Sequence, residues 1–539
     1  IQITKGNGSV ANGFESTTGQ INVEFIKPQE ADPFYLNLYG NIMGRMELNT
    51  HVQLPVSEKV RGLLFVHGQS QQVEHDRQND SFLDMPKSEV VNLYNRWYYH
   101  SGNRLEGQIG VRALYDNRLG GQVGFEEERD FGNSTLYGVE VLNKRLEVYT
   151  KTGLVFPETP WKSMGLILQG TYHDLDSYFG NRSFTGTQTG FYGSAMIMSI
   201  IGNTNHKYKA GLDFRYDDIS QSYNNAEFPR EEIVPGAYAE YTFDHKEKFG
   251  AVAGIRVDHH NTFDWFATPR LHMKYNITPE FIIRATGGRS FRTANIFTDN
   301  LSRLATYREF NVLENLDPEV AWNYGGNATF RFRLDYREGS VSADYYYTRF
   351  KDQVVVDLYA SPDLIEIYNL DGDSYSRSFQ LAVNYEILKR VDLRIAWKID
   401  DVFVTYRDGL TRKPLVPQQR GLLNLAYTTK RDHYLFDLTV QYEGSRELGL
   451  YQYQNYSDTQ VDRGSTPSFF IINAQVTRIL GDWQIYAGSE NLLDFRQKQV
   501  IFGANDPFGA EFDATNVWGP VIGRNIYLGI RYNLKKSGS

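Results

Sequence analysis

Apolar and polar positions alternate with a period of two along most of the chain. In 434–443, Tyr434, Phe436, Leu438, Val440 and Tyr442 fall on one face, and Asp437, Thr439, Gln441 and Glu443 on the other. Residues 391–400 repeat this with Val391, Leu393, Ile395, Trp397 and Ile399 against Asp392, Arg394, Lys398 and Asp400. Near the end, Ile526, Leu528, Ile530, Tyr532 and Leu534 alternate with Asn525, Tyr527, Gly529, Arg531 and Asn533. Successive side chains of a strand point to opposite faces, so each segment predicts a strand with one apolar and one polar face. Similar segments recur at 34–39, 105–115, 166–172, 208–216, 238–243, 252–257, 271–275, 281–286, 327–334, 341–347, 379–385, 422–427, 470–476 and 483–488. Long capped amphipathic helices are not evident.

So many apolar faces with almost no helix to cover them do not suit a soluble sandwich, whose apolar face must fill a closed core. The simplest geometry is a closed cylinder, apolar toward lipid and polar toward a wet lumen, with no unpaired edge. The predicted fold is all-β, a transmembrane antiparallel β-barrel. At roughly 20–25 residues per strand and connection, about 510 residues give roughly 22 strands, though roughly 18 or 24 also fit. A short break at 55–59 contrasts with long polar ones at 69–87, 217–232, 302–319, 443–467 and 496–520. Short turns on one rim and long loops on the other are the expected arrangement.

Composition agrees. The chain has 37 Tyr, 33 Phe and 7 Trp, suited to aromatic girdles at both membrane surfaces. The longest apolar runs, such as 195–201, are far too short for a spanning helix. Cysteine is absent, which rules out a disulfide scaffold or a thiolate metal site and fits an oxidising compartment. A net charge of −9 supplies no chain-wide basic field for nucleic acid.

Five segments then carry a resemblance. The first runs Ile1-Gln2-Ile3-Thr4-Lys5-Gly6-Asn7-Gly8-Ser9-Val10-Ala11-Asn12-Gly13, followed by Thr17-Thr18-Gly19-Gln20-Ile21-Asn22-Val23. The others are Gly288-Arg289-Ser290-Phe291-Arg292-Thr293-Ala294-Asn295; Leu316-Asp317-Pro318-Glu319 with Asn323; Glu490-Asn491-Leu492-Leu493-Asp494; and Arg524 to Leu534. In this order they resemble the end of the plug and the barrel of TonB-dependent outer-membrane receptors. Asn12 stands where that family often has Tyr, and Thr18 where a second Gly is common. The resemblance implies that 1–27 is the last part of a plug, 28–534 the barrel and 535–539 a tail or linker. It implies a Gram-negative outer membrane, contact with outer-membrane lipid, and active uptake of a scarce ligand. That ligand would be a metal chelate such as a siderophore complex, or a cobalamin- or haem-like molecule. A TonB-type energy-transducing protein would engage a region upstream of Ile1. The alternative is an accessory subunit of a larger outer-membrane complex, with another outer-membrane protein or surface lipoprotein as partner. A passive pore is a third reading, and an enzyme the least supported.

Few motifs suggest chemistry. Asp76, Gln78, Asp80 and Asp84 stand at relative positions 1, 3, 5 and 9 of a calcium-type loop, but Ser81 replaces the turn glycine and Lys87 the bidentate Glu. Calcium is therefore a candidate, and a solvated acidic loop the alternative; no other cofactor is expected. Gly6-x-Gly8-x-x-Ala11 mimics a dinucleotide fingerprint, yet a second strand follows where a helix is needed, so a tight turn is expected. His67, His75, His259 and His260 show no shared ligand spacing, and Glu126, Glu127, Glu128, Glu231 and Glu232 read as loop charges able to attract cations. Arg292, Arg303 and Arg308 flank the 302–319 loop and are candidate contacts for a chelate; water-solvated wall charge is the plainer reading. No nucleophile elbow, zinc helix or P-loop occurs, and no catalytic residue is assigned.

Overall fold

The structure is a computed structural model and describes residues 1–449, 460–462 and 464–535. The last four residues of the expected tail, and 450–459 with 463 of the expected 443–467 loop, lie outside the described residues.

Twenty-two antiparallel strands, from Phe34–Asn41 to Asn525–Leu534, form a closed barrel. The last strand pairs with the first over Tyr527↔Asn41 to Leu534↔Phe34, which leaves no edge. The period-two pattern sets which face meets lipid. Ile395, Trp397, Ile399, Phe436, Leu438, Ile526, Leu528 and Ile530 are all exposed on the outer wall. Their neighbours Asp400 and Asn525 are buried on the inner one.

The connections separate by length. One rim has short turns such as 56–59, 102–104, 246–248, 335–336, 389–390 and 481–482. The other has long loops, including 72–86, 122–137, 293–318, 352–373 and 491–524. One expected loop is a correction. Strand Asn203–Tyr223 and strand Arg230–His245 run through most of 217–232 and pair down to Ile219↔Arg230. The acidic and polar residues that suggested a loop lie on strands that rise beyond the membrane, where Asp218 and Ser220 meet water outside, Asp217, Gln221 and Glu232 are buried inside, and polarity no longer marks a turn. Several strands here exceed the ~10 residues that a tilted crossing needs; Asn203–Tyr223 has 21.

The long loops fold together over the mouth. Segments Glu309–Val312, Leu364–Asn369 and Val354–Asp357 form a small sheet. Phe297 and Leu304 pack on Leu175, Phe179 and Phe184, and Phe512 packs on Phe82 and Tyr137.

Inside, residues 1–33 cross the lumen. A hairpin pairs Gln2–Lys5 with Gly19–Asn22. The glycine-rich stretch is a turn, as expected. Gly6 has φ +75°, and a Cβ on it would stand 2.9 Å from both Thr286 Cγ2 and Tyr346 Cε1. Only a short 3₁₀ turn, Val10–Asn12, follows.

Leu212 sits mid-strand on the outer face between Tyr208 and Tyr216 and is 67% exposed. Leu212→Arg is expected to lower stability in lipid by about 2–4 kcal/mol. The lumen-facing Ser342→Arg should change it far less. Urea unfolding of both variants in vesicles checks the assignment of faces.

Candidate functional site

Arginines on the inner wall hold the N-terminal segment through its backbone carbonyls. Arg270 is 3% exposed and has no ion-pair partner among the described residues. Its Nη1 donates to the carbonyls of Gly8 (3.2 Å) and Ser9 (2.9 Å), and its Nη2 to that of Phe14 (3.1 Å). Arg256 pairs with Asp213 and, at 2.7 Å, with Asp258, and reaches the Val10 carbonyl at 3.5 Å. A buried guanidinium must satisfy its donors. The turn at 6–14 supplies acceptors to both terminal nitrogens of Arg270, so clamp and turn stabilise each other.

Side chains reinforce the clamp. Phe14 stacks on Phe291 with ring centroids 4.2 Å apart, and Phe266 stacks on the same ring at 3.9 Å. Ser9 Oγ donates to Glu240 at 2.5 Å, and Lys5 pairs with Asp344 at 2.8 Å. Arg215 pairs with Glu15 at 3.1 Å. On the opposite wall Arg96 donates to the Phe25 carbonyl at 3.0 Å and Gln53 to that of Pro28 at 2.7 Å. Two cavities adjoin the segment. One of about 700 Å³ lies beside Lys5, His272, Arg284, Asn327 and Tyr346. Another of about 330 Å³ lies between Phe14 and the wall at Gln169, Gln188 and Tyr192.

The loop cap is held by the same chemistry. Arg182 donates to the carbonyls of Thr306 (2.6 Å), Tyr307 and Arg308 (2.6 Å). Arg308 is buried, donates to the Leu358 carbonyl at 3.0 Å and pairs with Asp513 at 3.6 Å. Arg303 donates to the Thr515 carbonyl at 3.3 Å. Arg292 stays at the rim, paired with Asp299 and with Glu319 at 3.6 Å. The structure thus gathers Arg303 and Arg308 beneath the cap and leaves Arg292 outside it.

Asp76, Gln78, Asp80 and Asp84 share the 72–86 loop, and the three aspartates serve the loop's own backbone. Asp76 accepts from the amides of Asp80 (3.2 Å) and Ser81 (2.9 Å), Asp80 from Phe82 (3.0 Å) and Asp84 from Arg77 (2.8 Å). Among the described residues, no group of three or more His, Cys, Asp or Glu could hold a metal ion. The histidines are dispersed. His67 contacts Asn49 at 2.7 Å, His75 the Met43 carbonyl at 3.1 Å, and His259 meets Trp265 edge-on at 4.8 Å. His260 Nδ1 accepts from the Thr262 amide at 3.1 Å.

The family model described as TonB dependent receptor-like, beta-barrel, matches residues 63–492. The chain belongs to this family. Its members are receptors and transporters rather than enzymes, and a barrel of this family implies a Gram-negative outer membrane. Among solved structures, the FpvAI–pyocin S2 complex aligns with a TM-score of 0.72 at 12% identity, covering 98% of this chain and 76% of that one. The siderophore receptor PirA from Pseudomonas aeruginosa gives 0.68 at 11% identity, covering 98% and 85%. The ferric enterobactin receptor PfeA, in complex with BCV-L6, gives 0.70 at 11% identity with the same coverage. At such identities the likeness shows the fold alone. A search of curated proteins finds no match.

Sequence reasoning missed Arg256, Arg270, Arg182 and Phe14. Arg256 with Asp258 was detectable as a charged i, i+2 pair on the lumen face of a strand. Arg270 carries no such signal, because its partners are carbonyls some 260 residues away.

Arg270→Met is expected to free residues 6–14, raising amide exchange there at least tenfold while the barrel stays folded; charge-assisted bonds of about 1.5–3 kcal/mol support that size. Exchange read by mass spectrometry checks it.

Burial and the neighbouring Asp76 charge push the Asp80 carboxyl above its ordinary range. The folded loop therefore holds this proton more tightly than the unfolded chain. The stabilisation is full below the ordinary Asp value of about 4 and is lost as pH rises through the higher folded value. Asp80→Asn keeps the acceptor for Phe82 and should flatten this pH dependence, read as proteolysis of the 72–86 loop between about pH 4 and 7.

Proposed function

We propose that the chain forms the barrel, the mouth and the last plug segment of a receptor for active uptake of a scarce ligand across the outer membrane. In this reading residues 1–27 end the plug and 28–534 form the barrel. The observation that carries it is closure at two levels. Loops interlock over the mouth, and a segment within the lumen is clamped by buried arginines. A barrel has no energy source of its own, so accumulation needs a partner that pulls on the clamped segment. A TonB-type energy-transducing protein acting upstream of Ile1 supplies that role.

The ligand class is a metal chelate of the siderophore kind, or a cobalamin- or haem-like molecule. Two features of the mouth favour an anionic one. Neither Arg303 nor Lys413 has an ion-pair partner among the described residues. Burial holds Arg303 below its ordinary range, and Lys413 stands exposed near it. Desolvated, uncompensated cations gain most from an incoming anion. The neighbours named as siderophore and ferric enterobactin receptors accord with this.

An accessory subunit is the second reading. Ile3, Ile21 and Val23 of the lumen hairpin are more than half exposed. A two-stranded hairpin is marginal by itself, so its cover could come from a separate polypeptide, another outer-membrane protein or a surface lipoprotein.

Cells expressing the complete gene in an energised TonB background should accumulate iron from anionic ferric chelates, and a de-energised background should bind without accumulating. Arg303→Gln with Lys413→Gln should weaken chelate binding at least tenfold, with an unchanged far-ultraviolet spectrum. Accumulation that ignores the energy source, with large steady conductance in planar bilayers, would identify a passive pore; stable co-purification with a partner and no chelate binding would favour the accessory reading.

A further inference from the structure

The outer wall carries a group of oxygens that uptake leaves unused. Strand Gly138–Val155 sets Glu140 directly opposite Tyr178 of strand Ser163–Phe179. On the same faces Leu146, Val148, Met164, Leu166 and Tyr172 are exposed to lipid. The pair Lys144–Asp174, at 3.8 Å, ends that apolar band. Glu140 and Tyr178 therefore stand beyond the hydrocarbon, toward the long-loop rim.

The 122–137 connection folds over this corner. The Phe125 and Phe131 rings lie 6.2 and 4.4 Å from that of Tyr178. Phe125 fills the space above Gly138 that any Cβ there would need. Between these two rings the short helix Glu127–Asp130 presents Glu127, whose carboxyl contacts that of Glu140. Asn117, from strand Leu105–Gly121, donates its side-chain amide to Glu140.

Among the described residues no lysine, arginine or histidine pairs with Glu127 or Glu140. The nearest cation on the connection, Arg129, is committed to Asp130 (2.7 Å) and Glu126 (3.1 Å). Asp176 adds further negative charge, and burial with the Glu127 contact pushes the Glu140 carboxyl above its ordinary range. Among the described residues the Tyr178 hydroxyl, on a side chain 6% exposed, has no hydrogen-bond partner, and neither has Asn117 Oδ1.

A proton shared between the two carboxyls would relieve their repulsion and still strand the phenol and amide oxygens. A hard cation serves all four once the Asn117 amide turns its oxygen toward the carboxylates, since such ions take oxygen ligands from carboxylates, amides and water. We propose that Glu127, Glu140, Asn117 and Tyr178 form a divalent-cation site of the calcium class that pins the 122–137 connection to the barrel wall. Water completes the coordination.

The test uses the full chain in detergent after chelation. Calcium should raise Tm, and terbium should bind with tyrosine-sensitised emission that calcium displaces. Glu140→Gln should abolish both responses with the barrel intact by circular dichroism, and Tyr178→Phe should lower the sensitised emission. Asp80→Asn, in the other acidic loop, should leave both unchanged. The proposal is overturned if the parent responds to neither ion, or if Glu140→Gln keeps the response. It fails equally if Asp80→Asn removes the response, or if Glu140→Gln raises Tm while the parent ignores calcium, the mark of a shared proton.

Discussion

Backbone hydrogen bonding in a medium without water is the constraint on which the rest depends. Hydrocarbon offers no partner to a stray N–H or C=O, so the sheet has to close on itself. Here the closing pairs are Asn525–Leu534 against Phe34–Asn41, the two ends of the barrel sequence. No side chain chooses this topology alone. The alternating faces make closure favourable by sending Ile, Leu, Phe and Trp outward and Asp, Asn, Gln and Arg inward. Once closed, the cylinder encloses a polar surface that needs its own partners, and those partners hold the lumen segment and the loop cap.

The same device recurs at both levels. Arg270 inside and Arg182 at the mouth each spread a guanidinium over carbonyls of a segment remote in sequence. Carbonyls suit this role because they carry no net charge. A carboxylate partner would add attraction, but it would bury two ions whose desolvation offsets much of the gain. An arginine on carbonyls holds a turn in register while leaving it separable, because the released carbonyls can turn to water. The two apolar anchors differ in that respect. Phe14 between Phe291 and its wall neighbours, and Phe512 against Phe82 and Tyr137, lose buried area with nothing to replace it.

The barrel was legible because its signal is repeated in every strand. Period-two alternation in 391–400, 434–443 and 525–534 set the outer face correctly, and division of length set the strand number. The error at 217–232 has the same origin. Beyond the membrane the outer face of Asn203–Tyr223 meets water while its inner face keeps polar residues, and alternation gives way to continuous polarity that resembles a loop. The clamp left no trace, since Arg270 and the Gly8 and Ser9 carbonyls have no local pattern. Arg303 and Arg308 were found as charges, but their enclosure by loops 352–373 and 491–524 is a property of the cap alone.

Gly6 shows how closely the lumen segment and the barrel wall are matched. Its positive φ lets the chain reverse after Lys5, and its missing side chain lets the reversal sit against Thr286 and Tyr346. Any side chain would fail on both counts, by backbone strain and by collision. The reversal in turn places the carbonyls of Gly8, Ser9 and Phe14 around one guanidinium, and Lys5 against Asp344 on a strand further along the wall. A segment meant only to fill space would tolerate many registers against the wall. This one is fixed to a single register by a glycine, an arginine and a stacked phenylalanine.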